Sequence, residues 1–575
     1  MVAQTPEMKR TRPLPRTDAQ RTDSAAAMAP TRSQSWRSHQ TAWALFSAVA
    51  LYAAFPPLNL WPLAFVAPIG WLKLIRQREW SMAKPYRMLY VVGFLHWLVL
   101  IQWVRLPHWS TYFGWVLLSA YLSAYLPLFV GSARCLVHRW HVPIILAAPI
   151  CWTGLELLRS RLFSGFALAL LGHTQIHFLS LAQVASVCGA YGVGFVLMFT
   201  AAGLEAVCRS QRQTQNWRPF SVAAFLLAAV ILAGMHGQQQ LSEQAAKQTD
   251  QSVQIALVQG VFDTQFDGDL DRPKQAFQDY LRLSQTAVGQ HPDVDLVIWP
   301  ESMFTGIDPI LTVTQPAAQP LDWDVTPDEF QKLLQILPAR SQQKVKYVQS
   351  VIDRPLLVGT AWNHVGPEGE ERYNSAVHID SQGQIAQRYD KMHPVMFGEY
   401  IPFGSHLPWL YRFTPMPGGL TPGQAPATVD VQHVKLAPNI CFENTVPHLI
   451  RRQFNQLRQQ DETPDVLVTL TNDGWFWGSS LLDIHLACGV YRAIELGRPL
   501  LIAANTGFSA WIAADGTILQ QGPRRQEGIL IAECNPTAGT TIYSAIGDLP
   551  AFLCLVITLG SLAGGTIRSR AQKAA

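Results

Sequence analysis

Three apolar runs in this chain stop at residues that could carry out acyl transfer. Leu296-Val-Ile-Trp-Pro300 runs into Glu301. A Tyr389-Asp-Lys391 segment supplies a lysine, with Glu399 eight residues later. Lys435 to Ile440 ends at Cys441, followed two residues on by Glu443. A carboxylate can take a thiol proton, a thiolate can attack a carbonyl carbon, and an ammonium can stabilise the resulting oxyanion. Each residue also has an ordinary explanation. A lone free cysteine is more often packing than chemistry, Glu301 reads equally as a helix N-terminal charge, Lys391 as a solvated surface group, and Glu399 as a turn residue. Their shared position is what stands out, because open α/β folds place ligands at the carboxyl ends of their strands.

The surrounding pattern supplies such strands. Apolar, β-branched runs predict them at Val253 to Val258, Asp295 to Trp299, Pro355 to Gly359, Ser375 to Ile379, Val434 to Ile440, Val466 to Thr471, Leu500 to Ala504, Ser509 to Ala513 and Ile529 to Ala532. Amphipathic stretches at Lys274 to Val288, Val446 to Arg458 and Asp483 to Leu496 predict helices between them. That order gives a layered α/β sandwich with helices over a buried sheet. Gly306 to Lys346 reads as an irregular Pro/Gln-rich insert.

The rest of the chain has a different character. Of its 575 residues 49% are hydrophobic and only 15% charged, which is too apolar for an ordinary soluble enzyme. Membrane spans are expected near Thr41 to Phe55, Leu58 to Ile75, Met88 to Val104, Tyr112 to Val137, Val142 to Leu158, Leu179 to Val207, Phe220 to Met235 and Ile546 to Ile567. Arg and Lys collect in the N-terminal tail, in every second loop after it and in the C-terminal tail, which makes those segments cytoplasmic by the positive-inside rule. The expected organisation is a disordered basic cytoplasmic tail (1–38), a seven-helix transmembrane domain (39–237), an extracytoplasmic catalytic domain (238–545), a C-terminal transmembrane helix (546–567) and a cytoplasmic tail (568–575).

Smaller signals exclude other functions. The formal charge of +4 gives no reason to expect nucleic acid. Eight cysteines form no CxxC pair and no zinc spacing. His173 and His177 are four apart but lack a third ligand, so no metal is expected. Glu156 and Arg159, three apart near a helix end and followed by a loop with Gly165, read either as an interfacial ion pair or as part of a lipid headgroup site.

Trp-Pro-Glu301, Tyr-Asp-Lys391 and Ile-Cys441-Phe442-Glu443 together resemble the Glu-Lys-Cys signature of the nitrilase, or carbon-nitrogen hydrolase, superfamily, whose fold is an αββα sandwich. With the expected spans, Phe397-Gly-Glu399-Tyr-Ile-Pro402 and Asn472-Asp-Gly-Trp475-Phe476, the chain from about residue 40 to 567 resembles the apolipoprotein N-acyltransferase family. The resemblance implies catalysis by Glu301, Lys391 and Cys441, supported by Glu399 and Glu443. It also implies substrate contacts from Phe442, Trp475, Phe476, Asn374, Glu495 and Gly165.

The implied reaction is ping-pong and needs no cofactor. An acyl chain from the sn-1 position of a phospholipid passes through a Cys441 thioester to the α-amine of a diacylglyceryl-cysteine on an apolipoprotein. The implied location is the bacterial cytoplasmic (inner) membrane, multi-pass, with catalysis on the periplasmic side. Met396, Trp477 and Ile484 before His485 depart from the family pattern and touch the loops expected to meet lipid. A membrane-tethered amidase or nitrilase would share the triad but pass the acyl group to water, and a transporter with an inactive outer domain would share the spans.

Overall fold

Prolines and one glycine decide where the apolar first half of the chain breaks. The computed structural model describes residues 32–210 and 252–574, with short gaps at 266–268, 270, 307, 321–322, 403, 405, 407, 414–418 and 538, and only scattered positions between 211 and 251. The expected span at Phe220 to Met235 and the expected basic tail, apart from its last residues, therefore lie outside the described residues.

The helical half comprises α1 (Arg32–Ala54), α2 (Ile69–Arg76), α3 (Pro85–Leu100), α4 (Thr111–Ser123), α5 (Tyr125–His138), α6 (Ile144–Arg159), α7 (Leu179–Ala182) and α8 (Ala185–Ser210). The expected span at Leu58 to Ile75 is instead a 3-10 turn (Trp61–Phe65) followed by the eight-residue α2. Pro62 and Pro68 lack the N–H that a continuous helix needs there. Helices α4 and α5 meet at Ala124, just before Pro127. In α8, Gly189 takes φ +69°, a left-handed break that glycine allows at little steric cost.

Among the described residues, Thr111–His138 and Ala185–Cys208 are long and apolar enough to cross a membrane, while Pro85–Leu100 and Leu549–Ala563 are apolar but shorter. Stacked Trp71 and Trp152 (5.7 Å), with Phe129 edge-on to Trp152 (5.1 Å), pack α2, α5 and α6 together.

The second half is a four-layer sandwich. Strands β1 (Val253–Gln259), β2 (Leu296–Trp299), β3 (Ile310–Val313), β4 (Leu356–Gly366), β5 (Gly369–Ile379), β6 (Ile385–Asp390) and β13 (Gly528–Cys534) form one sheet in the order β13-β1-β2-β4-β5-β6, with β3 also paired to β4. Strands β7 (Val429–Val431), β8 (Val434–Ile440), β9 (Val466–Asn472), β10 (Leu500–Asn505), β11 (Ala510–Ile512) and β12 (Ile518–Gln521) form the other, in the order β12-β11-β10-β9-β8-β7.

Each face of this sandwich is covered. Val253, Ile255, Leu296 and Ile298 from the first sheet meet Val434, Leu436, Ile440 and Val468 from the second. Helices α9 (Asp271–Gln290) and α10 (Pro327–Ile352) cover the outer face of the first sheet. Helices α11 (Pro447–Gln459) and α12 (Leu481–Leu496) cover the second, and their core is continuous with that of the helical half. The chain ends in α13 (Ile542–Ile546) and α14 (Leu549–Ala574).

The irregular insert expected at Gly306 to Lys346 is not one. It contains β3 and most of α10, whose start is fixed by a capping box: the Thr326 hydroxyl accepts from Glu329 N–H, and Glu329 accepts from Thr326 N–H. Pro338 inside the helix and its many glutamines hid the pattern.

Register carries the fold to the site. In β8, Val434, Leu436 and Ile440 face the opposite sheet, while Ala437 faces the α11 and α12 layer. A slip by one residue would drive Lys435 and Asn439 between the sheets and turn Val434, Leu436 and Ile440 out of the inter-sheet core into the α11 and α12 layer. The position of Cys441 is therefore set by the whole strand.

Candidate active site

Four strands release their chains at one edge of the sandwich. Parallel pairing of β8 with β9, and of β1 with β2 and β2 with β4, aligns the ends that lead to Cys441, Asn472 and Glu301, and β6 ends immediately before Lys391. Next to Glu301 the backbone of β4 comes so close that a Cβ at Gly359 would lie 2.4 Å from the Pro300 carbonyl oxygen. Only glycine fits there.

Lys391 is 2% exposed, and its ammonium lies between two carboxylates, 2.7 Å from Glu399 Oε1 and 3.4 Å from Glu301 Oε1. Burial draws the ammonium down, but Glu399 and Glu301 outweigh it and the net shift is upward, so the lysine stays charged. Asn374 Nδ2 donates to Glu301 Oε1 (2.7 Å) and reaches Glu399 Oε1 at 3.5 Å. Asn472 N–H donates to Glu301 Oε2 (2.8 Å), and Val395 N–H to Glu399 Oε2 (2.7 Å).

Cys441 opens the turn after β8 at φ +54°, a conformation costly for a residue with a Cβ, and is half-buried. Burial, and next the Glu301 carboxylate, push its thiol well above the usual range against the pull of Lys391. Cys441 therefore rests as a thiol, and an attack by its sulfur would need a base to take the proton.

Glu443 holds this turn. It is fully buried, and its two oxygens accept four hydrogen bonds: from Ile440 N–H (2.8 Å), Tyr389 Oη (2.7 Å), Met392 N–H (2.7 Å) and His393 N–H (3.0 Å). The carboxylate ties the residue before Cys441 to the two residues after Lys391.

The other expected residues divide by location. Phe442 stacks on His393 (5.9 Å, 14°), whose Nε2 donates to Ser164 O (3.0 Å) in the helical half. Gly165, next to Ser164, sits in a tight turn at φ +80°. Trp475 and Phe476 follow β9, both half-buried, and Phe476 meets Trp103 edge-on at 5.4 Å. Glu495 lies in α12, away from the strand ends. Its carboxylate is taken up by Arg492 (Nη2, 2.6 Å) and by Ala190 N–H (2.9 Å), which it caps where α8 resumes after Gly189. Glu156 and Arg159 are likewise buried, and hold the 168–171 backbone: Arg159 donates to Leu168 O and Ala169 O, and Glu156 accepts from Leu171 N–H.

Sequence reasoning assigned no role to Tyr389, His393 or the Asn472 amide. Tyr389 lies inside the Tyr389-Asp-Lys391 motif, two residues before the lysine, and that place is the signal the sequence carries.

Comparison with known proteins matches each half to a family. Residues 47–203 match the apolipoprotein N-acyltransferase N-terminal domain, and residues 254–543 match the carbon-nitrogen hydrolase family. The apolipoprotein N-acyltransferase of Rhodopirellula baltica is 30% identical, over 90% of this chain and 95% of its own length. That of Geobacter metallireducens is 28% identical, over 89% and 92%. Among solved structures, Nit3 of Saccharomyces cerevisiae, a member of branch 10 of the nitrilase superfamily, aligns at 16% identity with a TM-score of 0.35, over 52% of this chain and 95% of that one. Both halves match in the order found here, and the similarity runs nearly end to end in the curated relatives, so the chain belongs to the apolipoprotein N-acyltransferase family of enzymes.

Proposed function

We propose that Cys441 carries the acyl group as a thioester between a phospholipid donor and the N-terminal amine of a diacylglyceryl apolipoprotein. The observation that carries this reading is the Lys391 ammonium held between Glu301 and Glu399 beside the strained turn of Cys441. Glu301 takes the thiol proton as Sγ attacks the sn-1 ester carbonyl. Lys391 and a backbone N–H stabilise the tetrahedral oxyanion. Collapse breaks the ester C–O bond, the departing lysophospholipid oxygen takes the proton from Glu301, and the thioester remains. The acceptor amine then attacks the thioester, loses a proton to Glu301, and leaves as an amide while the thiol is restored.

The wider arrangement belongs to the same proposal. Membrane-crossing helices within residues 39–237 and one at 546–567 anchor the chain in a bacterial inner membrane, with residues 238–545 on the periplasmic side and the 1–38 and 568–575 tails in the cytoplasm. The alternation of Arg/Lys-rich loops supports this. Two lipid-borne substrates give such an anchor a purpose, and the exposed Phe397 (63%) and Trp477 (40%) on the loops around the site offer apolar contacts for them.

The test is covalent. Purified protein mixed with phospholipid gives an acyl adduct on Cys441 by mass spectrometry, and Cys441→Ala gives none; an adduct that persists in Cys441→Ala refutes the assignment. Labelled phospholipid supplied with a diacylglyceryl peptide places label in the peptide; label released only as free fatty acid identifies a hydrolase instead.

A further inference from the structure

Behind the nucleophile, the side chain of His485 on α12 lies between two hydrogen-bond acceptors. Nδ1 is 2.9 Å from Asp473 Oδ1, and Nε2 is 3.2 Å from the carbonyl oxygen of Cys441. A neutral imidazole has one N–H and one lone pair, so it could satisfy only one of these. Asp473 cannot supply the missing hydrogen as a carboxylate, and its Oδ1 already accepts from the Thr471 hydroxyl (3.0 Å). His485 is 6% exposed and Asp473 3%, so water does not relieve the mismatch.

We propose that His485 is a doubly protonated positioning residue, whose imidazolium, clamped between Asp473 and the Cys441 carbonyl, fixes the nucleophile's turn and places a second positive charge beside it. This rests on Cys441 being the nucleophile. The strained φ of Cys441 needs its carbonyl held from one side, as Glu443 holds the preceding N–H from the other. The charge favours the thiolate that forms during attack, through the same peptide that carries the thiol.

Protonation of the ring is consistent with its setting. Burial opposes the charge, but Asp473, the Cys441 carbonyl and Glu301 together outweigh it, so the imidazolium is held to higher pH than usual. Other ionisable groups on the elements packed around its helix include Cys441 and Glu443 on the turn after β8, His173, Cys188 and Tyr191 from the helical half, His448 on α11 and Tyr543 on α13. Its own helix carries Asp483, paired with Arg524, Arg492, paired with Glu495, and Cys488 and Tyr491. Among the described residues, Asp473 is the carboxylate within hydrogen-bond reach of the ring. The imidazolium is lost as pH rises through its folded pKa.

Two substitutions separate charge from hydrogen bond. Asp473→Asn can donate to Nδ1, leaving a neutral ring with its N–H still on the Cys441 carbonyl. His485→Gln keeps an N–H for that carbonyl and removes the charge. The readout is the rate of alkylation of Cys441 by iodoacetamide at about pH 6 to 8, below the raised range of the thiol, followed at its own peptide by mass spectrometry with no substrate present. His485→Gln leaves the Asp473 charge alone beside the thiol and is expected to slow alkylation, and single-turnover acylation from phospholipid, by about tenfold, less than for loss of a direct oxyanion donor. Asp473→Asn removes a negative and a positive charge together, so its alkylation rate is expected to stay within about twofold of the wild type.

Faster alkylation in an Asp473→Asn protein that melts like the wild type means that the ring was neutral and overturns the imidazolium, and an unchanged rate in a folded His485→Gln overturns it as well. Should His485→Gln fail to fold, the near-isosteric Asp473→Asn decides alone. Failure of the thioester reading is seen separately, as an acyl adduct surviving in Cys441→Ala.

Discussion

Replacing Glu443 by glutamine tests whether one carboxylate joins the Lys391 loop to the Cys441 turn. Four donors converge on it, two on each oxygen: Met392 and His393 N–H on Oε1, and Ile440 N–H and Tyr389 O–H on Oε2. The best orientation of the amide keeps its oxygen toward the two loop N–H groups. Its NH2 then faces Ile440 N–H, donor against donor, and Tyr389. The tyrosine oxygen can accept from the new amide, as it already does from Gln453 Nε2 (2.8 Å), but its own hydrogen loses its partner. Two buried donors are orphaned, each costing about 1–3 kcal/mol, so a loss of about 4 kcal/mol is expected.

That is a large share of a stability of about 5–15 kcal/mol. At about 2–4 °C per kcal/mol for a domain of this kind, melting falls by about 8–16 °C. Acylation falls further than stability accounts for, by about 100-fold, because a small misplacement of the turn misaims the thiol. Tyr389→Phe gives a second handle. In the wild type it removes a charge-assisted bond, but in Glu443→Gln it removes an orphan, so the two substitutions couple by about 2 kcal/mol. Strictly additive melting shifts, or a Glu443→Gln protein that melts and acylates as the wild type does, would refute the clamp.

Two further substitutions probe the site's supports. Lys391→Met removes the cation between Glu301 and Glu399 and is expected to abolish the acyl adduct at every pH, with a stability loss of about 3–5 kcal/mol at neutral pH. One of the two carboxyls then has a raised pKa, so the stability its protonation confers is lost as pH rises through that value, and the melting gap to the wild type should close on acidification from pH 8 to 5. Lys344→Met removes an amine that donates to the carbonyls of Phe304 (3.1 Å), Thr305 (3.1 Å) and Asp308 (2.6 Å), the turn that follows Glu301. Burial lowers this lysine to about 8. A depressed folded pKa adds stability above the unfolded pKa and loses it as pH falls through about 8, so the melting advantage of the wild type over Lys344→Met should grow from pH 8 toward 10.

What the sequence revealed follows from where its polarity changes abruptly. Glu301, Lys391 and Cys441 could be read because each interrupts an apolar run, and the interruption marks a strand end. The edge strands β6, β7 and β12 were missed because one side of each faces water, so Gln387, Asp430 and Gln520 dilute their apolar pattern. Helix α10 was hidden by Pro338, although Thr326-x-x-Glu329 was a legible start signal. The clamp at Glu443 could not be read, because three of its four partners are backbone N–H groups and belong to no residue type. Glu495 carried the opposite signal: a carboxylate in a family motif suggests chemistry, yet a kinked helix 305 residues away in sequence uses it as a cap.

Those partners also explain why the helical half and the sandwich act as one unit. The loop that carries Lys391 continues into His393, which donates to Ser164 of the helical half and stacks on Phe442 beside Cys441. Strand β9, whose last residue supplies the N–H on Glu301, runs into a turn that ends at Phe476 against Trp103. Arg161 pairs with Asp548, which also accepts from Tyr543 Oη (2.7 Å), so the loop before Ser164 is fixed from the start of α14. The Lys391 loop and the turn after β9 are therefore also contacts between the halves. A cut between the halves would free the 391–399 loop and the 473–477 turn together, and with them the geometry of Lys391 and Glu301. The apolar helices thus do more than anchor a finished active site: they supply part of the surface against which it is assembled.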